Sequence, residues 1–157
     1  MTTYTALKNL AAGDVLTEAW VDGVLTNFSH LHAQNSVYTA RGEVTTTTTT
    51  YADVAGLSAV HTAYGGLATM YLALNAGASG SGQIHLFHTL NVDGTTVVET
   101  ETRWISNYNN SGTVVIPYHT ALASGVHTIK TQWKMSAVAG APGTAKIGSG
   151  WLMVAGG

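Results

Sequence analysis

Short runs rich in β-branched and aromatic residues recur from residue 37 onward, and turn-forming residues separate them. Asp93-Gly94 is the strongest of these turns, because a type I′ hairpin needs positive φ at both central positions. The eight predicted strands cover residues 44–51, 57–64, 67–74, 83–92, 95–104, 112–118, 126–135 and 144–154. Short strands at this spacing predict a mainly β domain, an antiparallel sandwich or jelly roll.

Alternation is clearest in residues 126–135. Successive side chains of a strand point to opposite faces. One face of this strand holds Ile129, Thr131, Trp133 and Met135, and the other holds Thr128, Lys130, Gln132 and Lys134. Residues 75–82 and 106–111 contain small or polar residues and are predicted as loops.

Six consecutive threonines, residues 45–50, present a choice between a linker and a strand. Stalks rich in Ser and Thr also contain Pro, and no proline occurs before Pro117. Threonine favours the pleated, half-buried surface of a sheet. We therefore predict residues 44–51 as the first long strand of the main domain.

An amphipathic helix is predicted over residues 17–33, after an irregular N-terminal arm. Its apolar residues recur every three or four positions, at Trp20, Val21, Val24, Leu25, Phe28 and Leu31. The helix packs on its own domain or serves in docking and oligomerisation, and both interpretations stay open at this point. The predicted organisation is therefore an arm and helix over residues 1–35 and a β-sandwich over residues 36–157.

Charged residues make up only 9% of the chain, against about 25% in typical soluble domains. A surface with so few charges is common in proteins that bury much of their surface in an assembly. The net charge of -2 argues against nucleic-acid binding. The chain contains no cysteine, its N-terminus does not resemble a secretory leader, and no apolar run approaches the roughly 18 residues of a membrane span.

Seven histidines suggest a search for metal ligands. His30 and His32 lie two apart on the predicted helix, and His85 and His88 lie three apart on a strand, so neither pair shares a face. No spacing demands a metal site. We predict no metal and no cofactor.

Glu99 and Glu101 share a strand face with Arg103. A glycosidase needs two carboxylates across a defined gap, one with a raised pKa. Two carboxylates that share a strand face with an arginine are more simply explained as a solvated strip that contains an ion pair. We therefore predict that the protein is not an enzyme, and hydrolysis that depends on Glu99 or Glu101 is a disfavoured rival.

Aromatic residues near polar turns are candidates for glycan contacts. They are Trp104, Tyr108 and Tyr118, with His119 beside them. Aromatic rings with nearby amides can stack on sugars and hydrogen-bond to them. The simpler interpretation, favoured here, is that these aromatics lie in the core or at a subunit interface.

The segment "ALASGVHTIKTQWKMSAVAG…GTAKIGSGWLMV", residues 121–154, resembles the C-terminal half of small β-sandwich proteins of tailed bacteriophages. The upstream "TTTTTTYADVAGLS" resembles the entry strand of the same group. In addition, "LAAGDVLTEAWVDGVLTNFSHL" is similar to a segment near the N-terminus of phage fibre and head-surface proteins.

The resemblance implies a trimeric jelly roll that decorates a capsid, or alternatively a tail-fibre or receptor-binding tip that recognises host glycan. The expected partners are copies of the chain and a capsid or other virion protein. The expected location is the virion surface, after assembly in the host cytoplasm. The expected docking or oligomer contacts are Trp20, Val24, Leu25, Phe28 and Leu31. The expected core or inter-subunit residues are Trp133, Met135, Trp151 and Met153.

Overall fold

The computed structural model describes residue 21 and residues 34–39, 43–80, 83–107, 111–137 and 143–157. Apart from Val21, the predicted helix lies outside the described residues, and so do its five contact residues and Tyr108. The described strands are β1 (Gln34–Thr39), β2 (Val44–Thr46), β3 (Ala52–Gly80), β4 (Gln83–Val92), β5 (Thr95–Asn107), β6 (Ser111–Ala137) and β7 (Gly143–Gly156). They form one antiparallel sheet in the order β1-β7-β3-β6-β4-β5, with β2 also paired to β7.

Two very long strands, β3 and β6, run through the whole sheet and pair with each other along most of their length. Residues 66–80 of β3 and 111–122 of β6 belong with β7, β1 and β2 in what we call layer A. Residues 52–64 of β3 and 126–137 of β6 belong with β4 and β5 in layer B.

The sheet folds over so that the two layers face each other. Buried side chains from both layers form a single hydrophobic cluster. Gly150 of β7 lies against Leu57 and Leu74, which come from opposite ends of β3. The contact between Gly150 and Leu57 joins layer A to layer B directly.

Glycines form the corner between the layers. Gly65, Gly66 and Gly125 all have positive φ, a region that side chains with a Cβ rarely adopt. The buried residues of β3 change there from odd-numbered (59, 61, 63) to even-numbered (68, 70, 72), and β6 changes at the same corner. Each strand therefore rotates as it passes from one layer to the other.

Several strand predictions are corrected by this arrangement. Residues 57–64 and 67–74 are not separate strands, and neither are 112–118 and 126–135, because β3 and β6 continue through the glycine corner. Residues 75–80, predicted as loop, extend β3 and pair with β7. Small side chains at Ala76 and Ala78 let this segment pack in the interior.

The threonine run is only partly a strand. β2 ends at Thr46, and Thr48 and Thr50 then exchange side-chain hydrogen bonds with each other. Hydroxyls that bond nearby backbone offer the chain an alternative to the strand ladder. The run nevertheless belongs to the fold, because the carbonyl of Thr48 accepts a bond of 2.9 Å from the amide of Met135.

Other predictions are confirmed. Asp93 and Gly94 both have positive φ and join β4 to β5, as the hairpin requires. His88 is buried while His85 lies on the other face of β4. The alternation of residues 126–135 also holds: Ile129, Thr131, Trp133 and Met135 are buried.

Candidate functional site

Apart from Lys146 of β7, the central strands of layer A carry no charged side chain. Residues 66–80, 111–125 and 147–157 contain no Asp, Glu, Lys or Arg. We call the outward-facing part of these strands the uncharged face. It consists of Leu67, Thr69, Tyr71 and Ala73 of β3, Val115, Pro117, His119 and Ala121 of β6, and Trp151, Met153 and Ala155 of β7.

Strand register places the larger side chains of the uncharged face side by side. Tyr71 is paired with Pro117 on one side and with Met153 on the other. The Tyr71 and Trp151 rings meet edge to face, with centroids 5.8 Å apart. Proline is compatible with this part of β6, which has only β3 as a described neighbour, because a strand with one open edge does not use every N–H in its ladder.

Layer B, by contrast, has a charged outer surface. Asp53 accepts hydrogen bonds from Lys130 (2.7 Å) and Gln132 (2.8 Å), and the bond from Lys130 holds the pKa of its carboxyl below the usual value. The Lys134 ammonium lies 3.3 Å from Glu101. These two ion pairs are partly exposed, which suits a surface in contact with water.

Lys134 is also held by two aromatic rings. Its Nζ lies 4.1 Å from the centroid of Tyr51 and 4.9 Å from that of Phe87. The Tyr51 hydroxyl donates to Glu101, and this hydrogen bond lowers the pKa of Glu101. Burial, assisted by the same carboxylate, raises the pKa of Tyr51. The cluster fastens the segment before β3 to β5 and β6.

Two hollows on the outer surface of layer A share Asn75, and we call them together the groove. The first part, of about 300 Å³, includes Ala73 and Trp151 from the edge of the uncharged face, and the second part has a volume of about 260 Å³. The first part is lined by Ala73, Leu74, Asn75, Thr113, Ser149, Gly150 and Trp151. The second is lined by Glu43, Asn75, Gly77, Ala78, Ser111, Lys146 and Gly148.

A histidine and an aspartate meet near the corner of the sandwich. His127 Nδ1 lies 2.6 Å from Asp93, and its Nε2 lies 2.9 Å from the carbonyl oxygen of Ala123. Both nitrogens face acceptors, so both contacts are hydrogen bonds only in the imidazolium form. The Ala123 carbonyl and the Asp93 carboxylate accordingly raise the pKa of His127.

The core contains one polar side chain that is unusual for its position. His88 is fully buried, and neither of its ring nitrogens has a hydrogen-bond partner. Thr131, also buried, has an unpartnered hydroxyl. Desolvation lowers the pKa of His88 to about 4, so the ring is neutral near pH 7.

The predicted site residues fall into separate places. Trp133 and Met135 are core residues, whereas Trp151 and Met153 lie on the uncharged face and do not belong to the buried core. Trp104 and Tyr118 are partly buried and pack against the core. His119 is exposed and contacts the Thr69 hydroxyl at 3.0 Å. The structure therefore does not bring Trp104, Tyr118 and His119 together into one surface.

The groove residues Asn75, Thr113 and Ser149 were not singled out from the sequence. They come from three strands that are distant in sequence, and only the register brings them together. The described residues contain no group of three or more His, Asp or Glu side chains arranged to hold a metal ion. Within those same residues, no helix has the length and apolar character needed to cross a membrane.

No protein-family model matches the chain, and no curated protein sequence matches it. Among solved structures, the infectious bursal disease virus VP2 subviral particle is similar, with 15% identity, a TM-score of 0.52, and coverage of 80% of this chain and 33% of that chain. A mutant VP2 of the same virus, in derived T=1 particles, matches with 14% identity, a TM-score of 0.45, and coverage of 80% and 36%.

The CBM36-1 domain of a multidomain xylanase from the hindgut metagenome of Trinervitermes trinervoides matches with 13% identity, a TM-score of 0.37, and coverage of 79% of this chain and 98% of that domain. This chain spans about a third of the length of the viral proteins that it matches. At these identities the VP2 similarity concerns the fold alone. The chain has an antiparallel β-sandwich fold of a kind found in a viral structural protein.

Proposed function

We propose that this protein is a non-enzymatic structural component of a virus particle. More specifically, we propose a trimeric jelly-roll protein that decorates the capsid of a tailed bacteriophage. The observation that carries the proposal is the uncharged face. Tyr71 and Met153 lie outward there, and aromatic residues and Met are typical of subunit interfaces, whereas charged residues are depleted in interface centres.

The uncharged face, apart from its edge at Ala73 and Trp151, is covered by neighbouring copies of the chain. A soluble surface normally mixes charges of both signs, as layer B does with Asp53, Lys130 and Lys134. The uncharged face presents no charge for a charged partner to neutralise, so it suits the uncharged surfaces of other copies that meet it around a three-fold axis. Burial of its apolar area, at about 25 cal/mol per Å², favours association and is offset in part by the freedom that the subunits lose.

The similarity to VP2 is a second support. The matched protein is described as forming a subviral particle, so a sandwich of this kind is compatible with particle assembly. The predicted helix with Trp20, Val24, Leu25, Phe28 and Leu31 is proposed to attach the trimer to the capsid. Decoration would then stabilise the shell by mass action, because a ligand that binds only the assembled state favours it.

Light scattering of the purified full chain tests the assembly. We expect a mass three times the 16.3 kDa of one chain. Leu67→Lys and Val115→Lys should each reduce the mass to that of the monomer, because both side chains are exposed in the single chain (68% and 44%). Val98→Lys is the matched control: its side chain is 72% exposed but lies on β5, away from the uncharged face.

A monomeric full chain, or trimers that tolerate both lysines, would refute the proposed interface. A chain that begins at Ala33 keeps β1 whole and separates the two parts of the proposal. It should remain trimeric and lose attachment to capsids. If it becomes monomeric instead, the helix and not the uncharged face holds the subunits together. Electron cryomicroscopy of purified phage would then distinguish a capsid position from a tail-fibre position.

A further inference from the structure

The groove on layer A exists because of a local irregularity in β7. The pairing of β3 with β7 shifts between Asn75 and Ala76, so that Gly148 is left out of the ladder. A bulge of this kind bends a strand and re-aims its side chains, and bulges are frequent beside functional sites. Here it separates Ser149 from Lys146 and opens the space between them.

Small residues form much of the lining of the groove. Ala73, Gly77, Ala78 and Gly148 take up little space there. No atom lies within 4 Å of the position that a Cβ on Gly148 would occupy. Larger side chains, Trp151 at one end and Lys146 with Glu43 at the other, stand at the ends of the opening. The result is a shallow, elongated groove with an aromatic end.

The lining combines one aromatic ring with uncharged hydrogen-bonding groups. Trp151 is supported by its edge-to-face contact with Tyr71. Asn75 supplies an amide that can both donate and accept, and Thr113 and Ser149 supply hydroxyls. An apolar ligand would leave these polar groups desolvated without partners, which is costly.

The charges near the groove cancel. Lys146 Nζ lies 3.1 Å from a carboxylate oxygen of Glu43, so its positive charge is already paired. An acidic ligand would have to compete with Glu43 for this ammonium. The groove therefore favours an uncharged polar ligand over an anion.

We propose that this groove binds the uncharged end of a glycan. One sugar ring would pack against the Trp151 indole, which is apolar on its faces, while Asn75, Thr113 and Ser149 bond to ring hydroxyls. The two parts of the groove lie near the lower end of the volumes usual for ligand sites, which suits one or two sugar rings. The groove takes Ala73 and Trp151 from one edge of the uncharged face, so the contact with other copies is placed beyond this edge and leaves Trp151 open to the sugar. The activity requires only the β domain.

The test uses the full chain and a panel of soluble glycans that end in glucose, galactose, mannose or N-acetylglucosamine. Saturation-transfer NMR would identify binders, and calorimetry would give Kd. We expect at least one neutral glycan to bind, and its sialic-acid-capped counterpart to bind more weakly. Asn75→Ala and Trp151→Ala should each weaken binding at least tenfold.

Two controls keep the result interpretable. Thr69→Ala removes a hydroxyl from the same strand and face outside the groove and should leave Kd unchanged. Light scattering of each variant would show whether a lost subunit contact explains lost binding; Asn75→Ala should keep the mass of the parent. The proposal is overturned if no neutral glycan binds, if the capped glycan binds better, or if Asn75→Ala at unchanged mass binds like the parent.

Discussion

His127 of β6 and Asp93 of the β4–β5 turn are joined by a contact of 2.6 Å between Nδ1 and the carboxylate. The amide of Thr128 also donates to Asp93, and this bond is the main cause of the lowered pKa of Asp93. The tip of the hairpin is thereby fastened to the strand that turns the corner of the sandwich. One part of this attachment, the His127 contact, depends on the charge of the imidazole.

The His127 contact should stabilise the protein more at low pH than at high pH. A histidine with a raised folded pKa contributes stability below its unfolded value of about 6.5 and loses it as the pH rises through the folded value. We expect a coupling of up to about 1 kcal/mol in a double-mutant cycle of His127→Ala and Asp93→Asn at pH 6. Urea unfolding measures it, and the coupling should fall toward zero at pH 9. Equal coupling at both pH values would contradict this assignment.

Buried His88 should act in the opposite direction. Its folded pKa is about 4, so protons bind the unfolded chain more strongly once the pH falls below about 6.5. Between pH 7.5 and pH 5, the free energy of unfolding of the parent should fall by about 2 kcal/mol more than that of His88→Leu. At pH 7.5 the leucine variant should be at least as stable, because it removes two unpartnered nitrogens from the core. Identical pH profiles would show that His88 is solvated in the folded protein.

The contact of Gly150 with the opposite layer predicts a size limit in β7. A Cβ at Gly150 would lie 2.5 Å from Leu57 Cδ1 and 2.9 Å from Leu74 Cδ2, so both leucines would have to move. Gly150→Ala should cost roughly 1–3 kcal/mol. Gly148→Ala, two residues away and open to space, is the control and should stay within about 0.5 kcal/mol. Thermal unfolding should separate the two, and similar Tm values would refute the close approach of the layers.

The hydrogen bond from Tyr51 to Glu101 should make a measurable contribution to stability, although it lies near the surface. Tyr51→Phe keeps the ring that lies beside Lys134 and removes only the hydroxyl donor. We expect the free energy of unfolding to fall by about 1–1.5 kcal/mol. This is the upper part of the range for a typical hydrogen bond, because the acceptor is charged. A cycle with Glu101→Gln, followed by urea unfolding at pH 7, should give a non-additive result. Additive losses would mean that the hydroxyl is bonded elsewhere.

Local chemistry made some parts of the fold predictable. The Asp93-Gly94 turn follows from backbone preference alone, and the alternation around Trp133 follows from the two-residue period of a strand. Gly65-Gly66 is different. Glycines with positive φ occur in hairpin turns and in sheet corners alike, and only the distant partner strand β6 decides between them.

The candidate site was less accessible from the sequence. Trp133 and Trp151 occupy equivalent positions in alternating strands, yet one is in the core and the other on the outer surface. Alternation defines which residues share a face but does not say which face is covered. The absence of charge from three separate segments is visible in the sequence, but the pairing of β3, β6 and β7 is needed to join those segments into one surface.

The continuous pairing of β3 with β6 across the corner has a mechanical consequence. Apart from an irregularity between Asp53 and Ser58, the ladder extends from Ala52 and Trp133 in one layer to Gly77 and Ser111 in the other. Antiparallel hydrogen bonds lie perpendicular to the strands, so a pull along the ribbon loads many of them at once instead of opening them one by one. A molecule held together by such a ribbon resists shear along its length.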